Sequence, residues 1–318
     1  MDEFGLINTY FARAAISSDV LLGIGDDCAV VCPPEGRQLV MSIDTMVDGV
    51  HFPRGTAPDR IGTRVMCAAL SDLAAMGARP HWFTLALTLP DLDQDWVAGF
   101  ADGVFSIANH YECCLIGGDT TRGPLSITVQ VHGSVEPGQA LRRAGARPDD
   151  VIYVTGNLGD GAAALAVIQQ KLTVATGSFS YLLKRFYAPT PRILVGELLA
   201  GTASAAIDIS DGLYADLSKI CEASGVGAMV DLGRLPISEH WRKYTSEDRA
   251  QEWALTGGDD YQLCFTVPRD QVEKVKAWIA EGRIVATAIG KITHKHELLL
   301  LKNGKPVELE RRGYNHFG

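Results

Sequence analysis

The sequence predicts a protein of the α/β (α+β) class, built as two layered α/β domains. Its 318 residues are enough for about two domains of ordinary size. Apolar residues make up 47% of the chain and charged residues 21%, as in globular proteins. Strand-like and helix-like segments alternate on both sides of residues 134–150, where glycine, proline and charge interrupt the hydrophobic periodicity.

The first domain is predicted for residues 1–138. Its segments are, in order, a helix at about 3–14, strands near 28–32 and 38–46, a helix at about 58–76, a strand at 81–89, a helix at about 93–109 and strands at about 112–116 and 125–135. In the last strand, Ile127, Val129 and Val131 alternate with polar residues. This period of two predicts a strand with one buried face.

The second domain is predicted for residues 139–318. It opens with the β-branched strand VIYVTG, which leads into GNLGDGAAALAVIQQ, a glycine turn that begins a helix. The further segments are a helix at 191–201, a strand at 205–210, a helix at 211–224, strands at 227–232 and 261–267, a helix at 269–282 and strands near 284–301. This order predicts a mixed sheet with flanking helices.

Bulk properties disfavour several classes of protein. The net charge is −9 and no basic run reaches five residues, which argues against nucleic acid as a partner. There is no run of about 18 uncharged apolar residues, as a membrane span would need, and no signal-peptide pattern at the N-terminus. The seven cysteines are odd in number and never spaced as Cys-x-x-Cys, which disfavours structural zinc and a disulfide framework. We therefore expect a cytoplasmic protein without a membrane partner.

Common nucleotide and hydrolase motifs do not fit the chain. Neither Gly290-Lys291 nor Gly304-Lys305 belongs to a Walker A loop. The segment at 23–28 begins like a dinucleotide fingerprint but has cysteine in place of the third glycine. A nucleophile elbow, a His-Glu-x-x-His pair and the His-Arg-Asp loop of protein kinases are also missing from the sequence.

Four aspartates occupy positions where a soluble protein does not leave a carboxylate unneutralised. Asp44, Asp119 and Asp208 follow apolar strands. At about 100° per residue, Asp72 projects from the middle of the apolar stripe of its helix. Burying one unpaired carboxylate costs on the order of several kcal/mol, so four such residues indicate shared cations. The sequence therefore predicts a multi-metal site.

Glycine stands beside aspartate at several strand ends, in GIGDD, GGDT, DISDG and GGDD. Glycine lets the backbone approach a phosphate group closely, and aspartate offers the hard oxygen ligands that Mg²⁺ prefers. A single unit of this kind is an ordinary turn. The recurrence, together with Asp72, favours a site for Mg²⁺ and phosphate groups.

Each candidate also has a purely structural interpretation. Asp72 could cap a loop or pair with Arg64 or Arg79, and the strand-end aspartates could form turns. The other structural alternatives are an N-cap at Ser210 or Asp211, a packed loop histidine at His51, a solvated basic patch at Arg143 and a packing anchor at Tyr314.

Eight motifs occur in an order that resembles the thiamine-monophosphate kinase family, from about Phe4 to Phe317. They are GIGDDCAV, SIDTMVDGVHF, LSDLAAMGA, IGGDTTRGPLS, ALRRAGARPDD, IDISDGL, GGDDYQLCF and GYNHF. That family belongs to the superfamily of aminoimidazole ribonucleotide synthetase and selenophosphate synthetase. The set as a whole is far more specific than any one of its motifs.

The resemblance implies in-line transfer of the γ-phosphoryl group of ATP to thiamine monophosphate, with several Mg²⁺ ions, in a homodimer whose N-terminal sheets pair. The implied metal ligands are Asp27, Ser42, Ile43, Asp44, Asp72, Asp119, Asp208 and Asp211. The implied ATP contacts are Gly118, Asp119, Arg143 and Ser210, and the implied acceptor contacts are His51, Asp259 and Tyr314. Catalysis by alignment and charge neutralisation would rest on Asp44, Asp119, Asp208 and Arg143.

Two positions depart from the family pattern. The family motif Gly-Gly-Glu-Asp-Tyr-Glu is GGDDYQ here, so Asp259 is one methylene shorter than glutamate and its acceptor contact is expected to run through water. Ile43 stands where threonine is frequent, so only its backbone carbonyl can serve as a ligand. Two alternatives stay open: another ATP-using member of the superfamily, and a nonenzymatic metal-dependent nucleotide sensor.

Overall fold

The structure, a computed structural model, describes residues 2–12, 17–309 and 313. The chain divides into two units: the first comprises Met1–Leu73 and Ala78–Gly138, and the second comprises Ala74–Gly77 and Gln139–Gly318. The division after Gly138 falls inside the segment at 134–150 where the hydrophobic periodicity breaks. Among the described helices, none combines the length and apolarity needed to cross a membrane.

The first unit is built around a mixed sheet. Its elements are α1 (Glu3–Leu6), a π-helical turn (Ile7–Phe11), β1 (Val20–Leu22), β2 (Val30–Val31), β3 (Gln38–Val47), α2 (Pro58–Ala75), β4 (Arg79–Leu89), α3 (Gln94–His110), β5 (Cys114–Arg122) and β6 (Ser126–Val135). The described residues form a four-stranded sheet in the order β3-β6-β4-β5, and β1 pairs with β2. In the larger sheet β6 pairs antiparallel with β3 and β4, whereas β4 and β5 are parallel.

Strand alternation gives the four-stranded sheet two different faces. Ile127, Val129 and Val131 of β6 are fully buried on one face, as their spacing predicts. The opposite face carries Met41 and Ile43 of β3, which are 60% and 63% exposed. We call the face that carries Met41 and Ile43 the open face.

The second unit contains a mixed sheet with helices packed against it. Its elements are β7 (Val151–Thr155), α4 (Asp160–Ile168), α5 (Thr176–Tyr187), α6 (Ile193–Leu199), β8 (Ala205–Ile209), α7 (Leu213–Ser224), β9 (Gly227–Asp231), α8 (Glu239–Arg242), α9 (Glu247–Thr256), β10 (Gln262–Val267), α10 (Val272–Ala280), β11 (Ala286–Thr293), β12 (Leu298–Lys302) and β13 (Lys305–Val307). Within the described residues the seven strands follow the order β13-β12-β9-β11-β7-β10-β8. Only the neighbours β12 and β9 are parallel in this sheet. The predicted α/β class with a mixed, helix-flanked second sheet is confirmed.

Several elements differ from the sequence prediction. β5 continues to Arg122, well beyond the predicted end at about 116, because its glycine-containing part stays paired with β4. The sequence pattern does not indicate β1, α5, α8 or α9 beforehand. Helix α5 buries Ser178, Leu182 and Phe186, which recur every four residues as in an amphipathic helix. Because Ser178 is polar, the sequence does not show this helical period as a repeat of apolar residues.

Candidate functional site

A cavity of about 810 Å³ in the first unit brings three predicted site residues together. It is lined by the loop at 23–29, by β5 from Leu115 to Thr120, and by parts of β4 and the N-terminal helical segment. Asp27, Gly118 and Asp119 all line it, so two predicted metal ligands, Asp27 and Asp119, share one concave surface with the predicted ATP contact Gly118. Cavities of this size take small-molecule ligands.

Glycine at position 118 is required by the approach of the neighbouring strand. A Cβ atom on Gly118 would lie 2.0 Å from the carbonyl oxygen of Leu85, whereas one on Gly117 would meet nothing within 4 Å. Gly118 therefore keeps the β4–β5 pairing intact beneath the cavity. The GGDT motif contains one glycine that the fold needs and one that it does not.

Asp72 of α2 contacts β3. The hydroxyl of Ser42 donates a hydrogen bond to Asp72 Oδ2, which joins two of the predicted metal ligands. Asp72 is half-buried, while Ile61 and Val65 on the same helix are buried, so the predicted apolar stripe is present around it. Of the two cations considered as structural partners, Arg79 pairs with the carboxylate of Glu112 at 3.1 Å.

The four-stranded sheet separates Asp44 from Asp119. Directly paired residues share a face, and Asp44 pairs with Val129, which is fully buried on the face opposite the open face. Asp119 pairs with Ala86, and Ala86 pairs with Thr128, so Asp119 belongs to the open face. Ile43 lies on the open face as well.

In the part of the chain that the structure describes, no group of three or more His, Cys, Asp or Glu residues is arranged to hold a metal ion. Among the predicted ligands in the described residues, Ser42 contacts Asp72, and Asp27 lines a common cavity with Asp119. The complete metal shell remains a prediction.

His51 closes a turn after β3. Its ring Nδ1 accepts a hydrogen bond of 3.0 Å from the backbone N–H of Val47, and its carbonyl oxygen accepts one of 3.1 Å from Arg64 Nε. A neutral ring in this arrangement carries its proton on Nε2, which leaves that nitrogen as the donor. One ring nitrogen of His51 thus has a structural role, as the packed-histidine interpretation expects. Contact between His51 and the phosphoryl acceptor remains a prediction.

In the second unit, the end of β8 is held by an internal carboxylate. Asp216 Oδ2 accepts hydrogen bonds of 3.1 Å from the backbone N–H groups of Ser210 and Asp211. Lys219 Nζ lies 2.7 Å from Asp211 Oδ2 and 2.9 Å from Asp216 Oδ1. The N-cap position of α7 is taken by Gly212 at φ 110°, without a side-chain cap, so the interpretation of Ser210 or Asp211 as N-cap is wrong. Because the carboxylate comes from inside the helix, the capping pattern in the sequence points to the wrong residue.

The segment at 257–261, which we call the acceptor loop, lies directly beside the end of β8. Its Asp259 donates a backbone hydrogen bond of 2.9 Å to Ser210 O, and Tyr261 donates one of 2.8 Å to Ile209 O. Asp208 is a buried residue of β8. The structure therefore brings together predicted residues of all three kinds in this unit: the metal ligands, an ATP contact and an acceptor contact.

A pair of buried aspartates behind the acceptor loop does not figure in the sequence prediction. Asp160 accepts hydrogen bonds from Tyr181 Oη at 2.6 Å, Trp241 Nε1 at 2.8 Å and Arg185 Nε at 3.1 Å. Asp260 is 1% exposed, and burial, followed by the charge of Asp160, raises its pKa to about 8. The available sequence signal was the adjacency of two aspartates in GGDD, only one of which was assigned a role.

Arg143 lies at the other end of β8 from Ser210. Ala206, near the start of β8, donates a backbone hydrogen bond of 2.9 Å to the carbonyl of Arg142, and Ser224 Oγ donates one of 3.1 Å to the carbonyl of Arg143. Ser210 is four positions after Ala206, which corresponds to about 13 Å of extended chain. The structure does not place these two predicted ATP contacts side by side. The role of Arg143 stays a prediction, and Tyr314 lies outside the described residues.

The seven cysteines all lie within the described residues and are free thiols. Cys28 and Cys32 are exposed, and Cys28 lines the cavity of the first unit. By contrast, burial raises the pKa of Cys67 to about 12 and also raises the pKa of Cys113. The thiols thus differ strongly in their access to solvent.

Comparison with known proteins gives matches over most of the chain. Residues 25–135 match the family AIR synthase related protein, N-terminal domain, and residues 147–300 match AIR synthase related protein, C-terminal domain. Thiamine-monophosphate kinase of Escherichia coli (strain K12) is 48% identical over 318 residues, which cover 99% of this chain and 98% of that protein.

Solved structures agree with this match. Thiamine-monophosphate kinase from Stenotrophomonas maltophilia K279a has a TM-score of 0.88 at 45% identity, over 96% of this chain and 98% of that one. AaThiL complexed with AMPPCP and TMP has a TM-score of 0.79 at 31% identity, over 99% of this chain and 97% of that one.

Proposed function

Because the chain belongs to the thiamine-monophosphate kinase family of AIR synthase related proteins, we propose that it phosphorylates thiamine monophosphate with ATP, giving thiamine diphosphate and ADP. Its similarity to AaThiL, which is complexed with AMPPCP and TMP, supports both ligands. Within the molecule, the observation that carries the proposal is the cavity that joins Asp27 with Gly118 and Asp119.

In the proposed reaction, an oxygen of the acceptor phosphate forms a bond to the γ-phosphorus of ATP, and the bond from that phosphorus to the β–γ bridging oxygen breaks. The second pKa of a phosphate monoester is about 6, so the acceptor is already ionised at neutral pH. It therefore needs no general base. This agrees with predicted site residues that are mostly aspartates.

We propose Mg²⁺ as the required ion. The net charge of −9 would repel two polyanionic reactants unless cations reversed the local field. The hydroxyl and carboxylate oxygens of the contacting pair Ser42 and Asp72 are hard donors of the type that Mg²⁺ takes. The proposed ligands are Asp27, Ser42, the carbonyl of Ile43, Asp44, Asp72, Asp119, Asp208 and Asp211. When bound, the ions would neutralise charge on the transferring phosphoryl group.

The protein's other proposed contribution is alignment. Gly118, Asp119 and Ser210 would contact ATP, and Arg143 would act as an auxiliary cation on the phosphates. Asp259, together with His51 and Tyr314, would contact the acceptor. The backbone of Asp259 has φ 67°, in the left-handed region that residues other than glycine rarely adopt. Backbone strain of this kind concentrates at functional sites.

A homodimer is part of the proposal. Leu39, Met41 and Ile43 leave apolar surface on the open face of the first sheet, with exposed fractions of 43%, 60% and 63%. A second copy that covers this face would remove it from water. We also propose a reducing cytoplasm as the compartment, since the cysteines are free thiols.

A coupled ADP-release assay with ATP, Mg²⁺ and thiamine monophosphate tests the proposal. ADP should form only when the acceptor and Mg²⁺ are both present, and thiamine diphosphate should appear in equal amount. Matched reactions without acceptor, or with EDTA, measure background hydrolysis. ADP release at background level in the full mixture would reject the kinase function and leave two alternatives, another ATP-using member of the superfamily and a nonenzymatic nucleotide sensor.

A further inference from the structure

The glycine turn at 156–161 begins helix α4, and two of its backbone N–H groups bind a side chain of the protein itself. The N–H of Gly159 donates to Asp260 Oδ2 at 2.6 Å, and the N–H of Gly161 donates to Asp260 Oδ1 at 3.0 Å. Both donors lie at the start of α4, where the helix dipole favours an anion. The carboxyl group of Asp260 therefore takes up both of these backbone donors.

Asp260 is the middle residue of a strained segment. Its neighbours Asp259 and Tyr261 stand at φ 67° and 47°, in the left-handed region that non-glycine residues avoid. A segment in this conformation persists only where its surroundings hold it in place. The two hydrogen bonds to Asp260 hold the middle of the segment against the start of α4. They thereby fix the direction in which the side chain of Asp259 projects from the backbone.

We call the hydrogen bonds that hold Asp260 against the start of α4 the brace. It includes Arg185 of α5. Its Nε lies 3.1 Å from Asp160 Oδ2, and its Nη2 donates to the carbonyl oxygen of Asp260 at 3.4 Å. Gly161 also leaves no free space beside the loop, because a Cβ atom there would lie 2.4 Å from Gly258 O. The acceptor loop is therefore held by hydrogen bonds and by close packing against the start of α4.

The neighbouring loop after β8 has a separate brace. The carboxylate of Asp216 binds the N–H groups of Ser210 and Asp211, without any contribution from Asp260. The residues proposed to contact ATP and metal are thus fixed by one buried carboxylate, and the residue proposed to contact the acceptor is fixed by another. The hydrogen bond from Asp259 N–H to Ser210 O links the two loops, so this division predicts a larger effect of Asp260 on the acceptor than on ATP.

We infer that Asp260 is a positioning residue for the phosphoryl acceptor, holding Asp259 in place through the glycine turn at the start of α4. The inference rests on the proposed function, in which Asp259 contacts the acceptor. Asp260 is 1% exposed and each of its carboxyl oxygens accepts a backbone hydrogen bond, so we assign it an indirect role, through Asp259. Loss of Asp260 should therefore weaken the binding of thiamine monophosphate more than the binding of ATP.

The test compares Asp260→Asn with the wild-type enzyme in steady-state kinetics, varying thiamine monophosphate and ATP in turn. The asparagine retains one acceptor oxygen but turns an amide donor toward a backbone N–H. We expect the KM for thiamine monophosphate to rise about tenfold and the KM for ATP to change less than about twofold. Direct calorimetric titration with thiamine monophosphate, in the presence of AMPPCP and Mg²⁺, should show the same loss of affinity.

Gly161→Ala is the second variant, because it displaces the same loop without changing a titratable group. It should give the same split between the two KM values, and it decides the matter if Asp260→Asn does not fold. Asp150→Asn is the matched control. Asp150 is also a buried aspartate of the second unit that holds a loop, through Arg147 N at 2.9 Å and Ser204 Oγ at 2.5 Å. It should leave the KM for thiamine monophosphate unchanged, because the loop that it holds carries Arg143, a proposed ATP contact, and no proposed acceptor contact.

Two results would overturn the inference. One is an unchanged KM for thiamine monophosphate in folded Asp260→Asn and Gly161→Ala proteins. The other is an equal rise of both KM values, which would indicate general damage to the unit. If wild-type protein neither binds nor phosphorylates thiamine monophosphate, the proposed function fails first, and the role of Asp260 fails with it.

Discussion

Ionisation of Asp260 should make the stability of the protein depend on pH. Burial and the charge of Asp160 raise the pKa of Asp260 from 3.8 to about 8, although the N–H groups of Gly161 and Gly159 and the charge of Arg185 act in the opposite direction. At about 1.4 kcal/mol per pH unit, this difference between the unfolded and folded chain corresponds to on the order of 5 kcal/mol. Because the folded state has the higher pKa, the stabilisation is complete below about pH 4 and is lost as the pH rises toward about 8.

Asp260→Asn removes this titration. The unfolding free energy of the wild-type protein, relative to that of the variant, should therefore fall by up to about 1.4 kcal/mol per pH unit between about pH 4 and pH 8 and become constant above that range. Urea denaturation followed by circular dichroism, at half-unit steps of pH for both proteins, measures this difference. A difference that does not change across the window would refute the reasoning. A difference that grows with pH would show that the glycine N–H groups outweigh burial and hold Asp260 ionised.

Three further substitutions test the site. Asp72→Asn should abolish turnover while circular dichroism stays that of the wild type, because a lost metal ligand disables charge neutralisation more than packing; a fully active variant would contradict this. Gly118→Ala should destabilise the protein by about 1–3 kcal/mol and raise the KM for ATP, because its Cβ would lie 2.0 Å from a β4 carbonyl, whereas Gly117→Ala should leave the stability unchanged. Lys219→Met should lower the unfolding free energy by about 2 kcal/mol in urea, because it leaves the buried carboxylate of Asp216 without its cation; an unchanged midpoint would argue against a structural role for this ion pair.

Local patterns were sufficient to predict much of the fold. The alternation in β6 and the apolar stripe of α2 each depend on residues close in sequence, and both faces are buried as expected. The end of β5 could not be predicted in the same way. Its residues after Ile116 are glycines, an aspartate, threonines and Arg122, and they are held as a strand by pairing with β4, which is distant in sequence.

The site was predicted to a different degree in its different parts. The motifs located Asp27, Gly118 and Asp119, which share a cavity, and Ser210 with Asp259, which share a hydrogen bond. The supporting residues were not found, because a brace such as Asp260 is defined by which backbone N–H groups it reaches after folding. The glycine turn at 156–161 shows the same limit, since its sequence cannot reveal that an internal carboxylate already occupies its donors.

Because the cysteines differ in exposure, their rates of chemical labelling can report on ligand binding. At neutral pH an alkylating reagent has open access to Cys28 and Cys32, whereas Cys67 and Cys113 are shielded and hold their protons tightly. Cys28 borders the cavity and Cys32 does not, so the ratio of label at these two positions follows occupancy of the cavity in the unmodified sequence. Mass spectrometry of the labelled peptides can therefore follow ligand binding without an engineered probe.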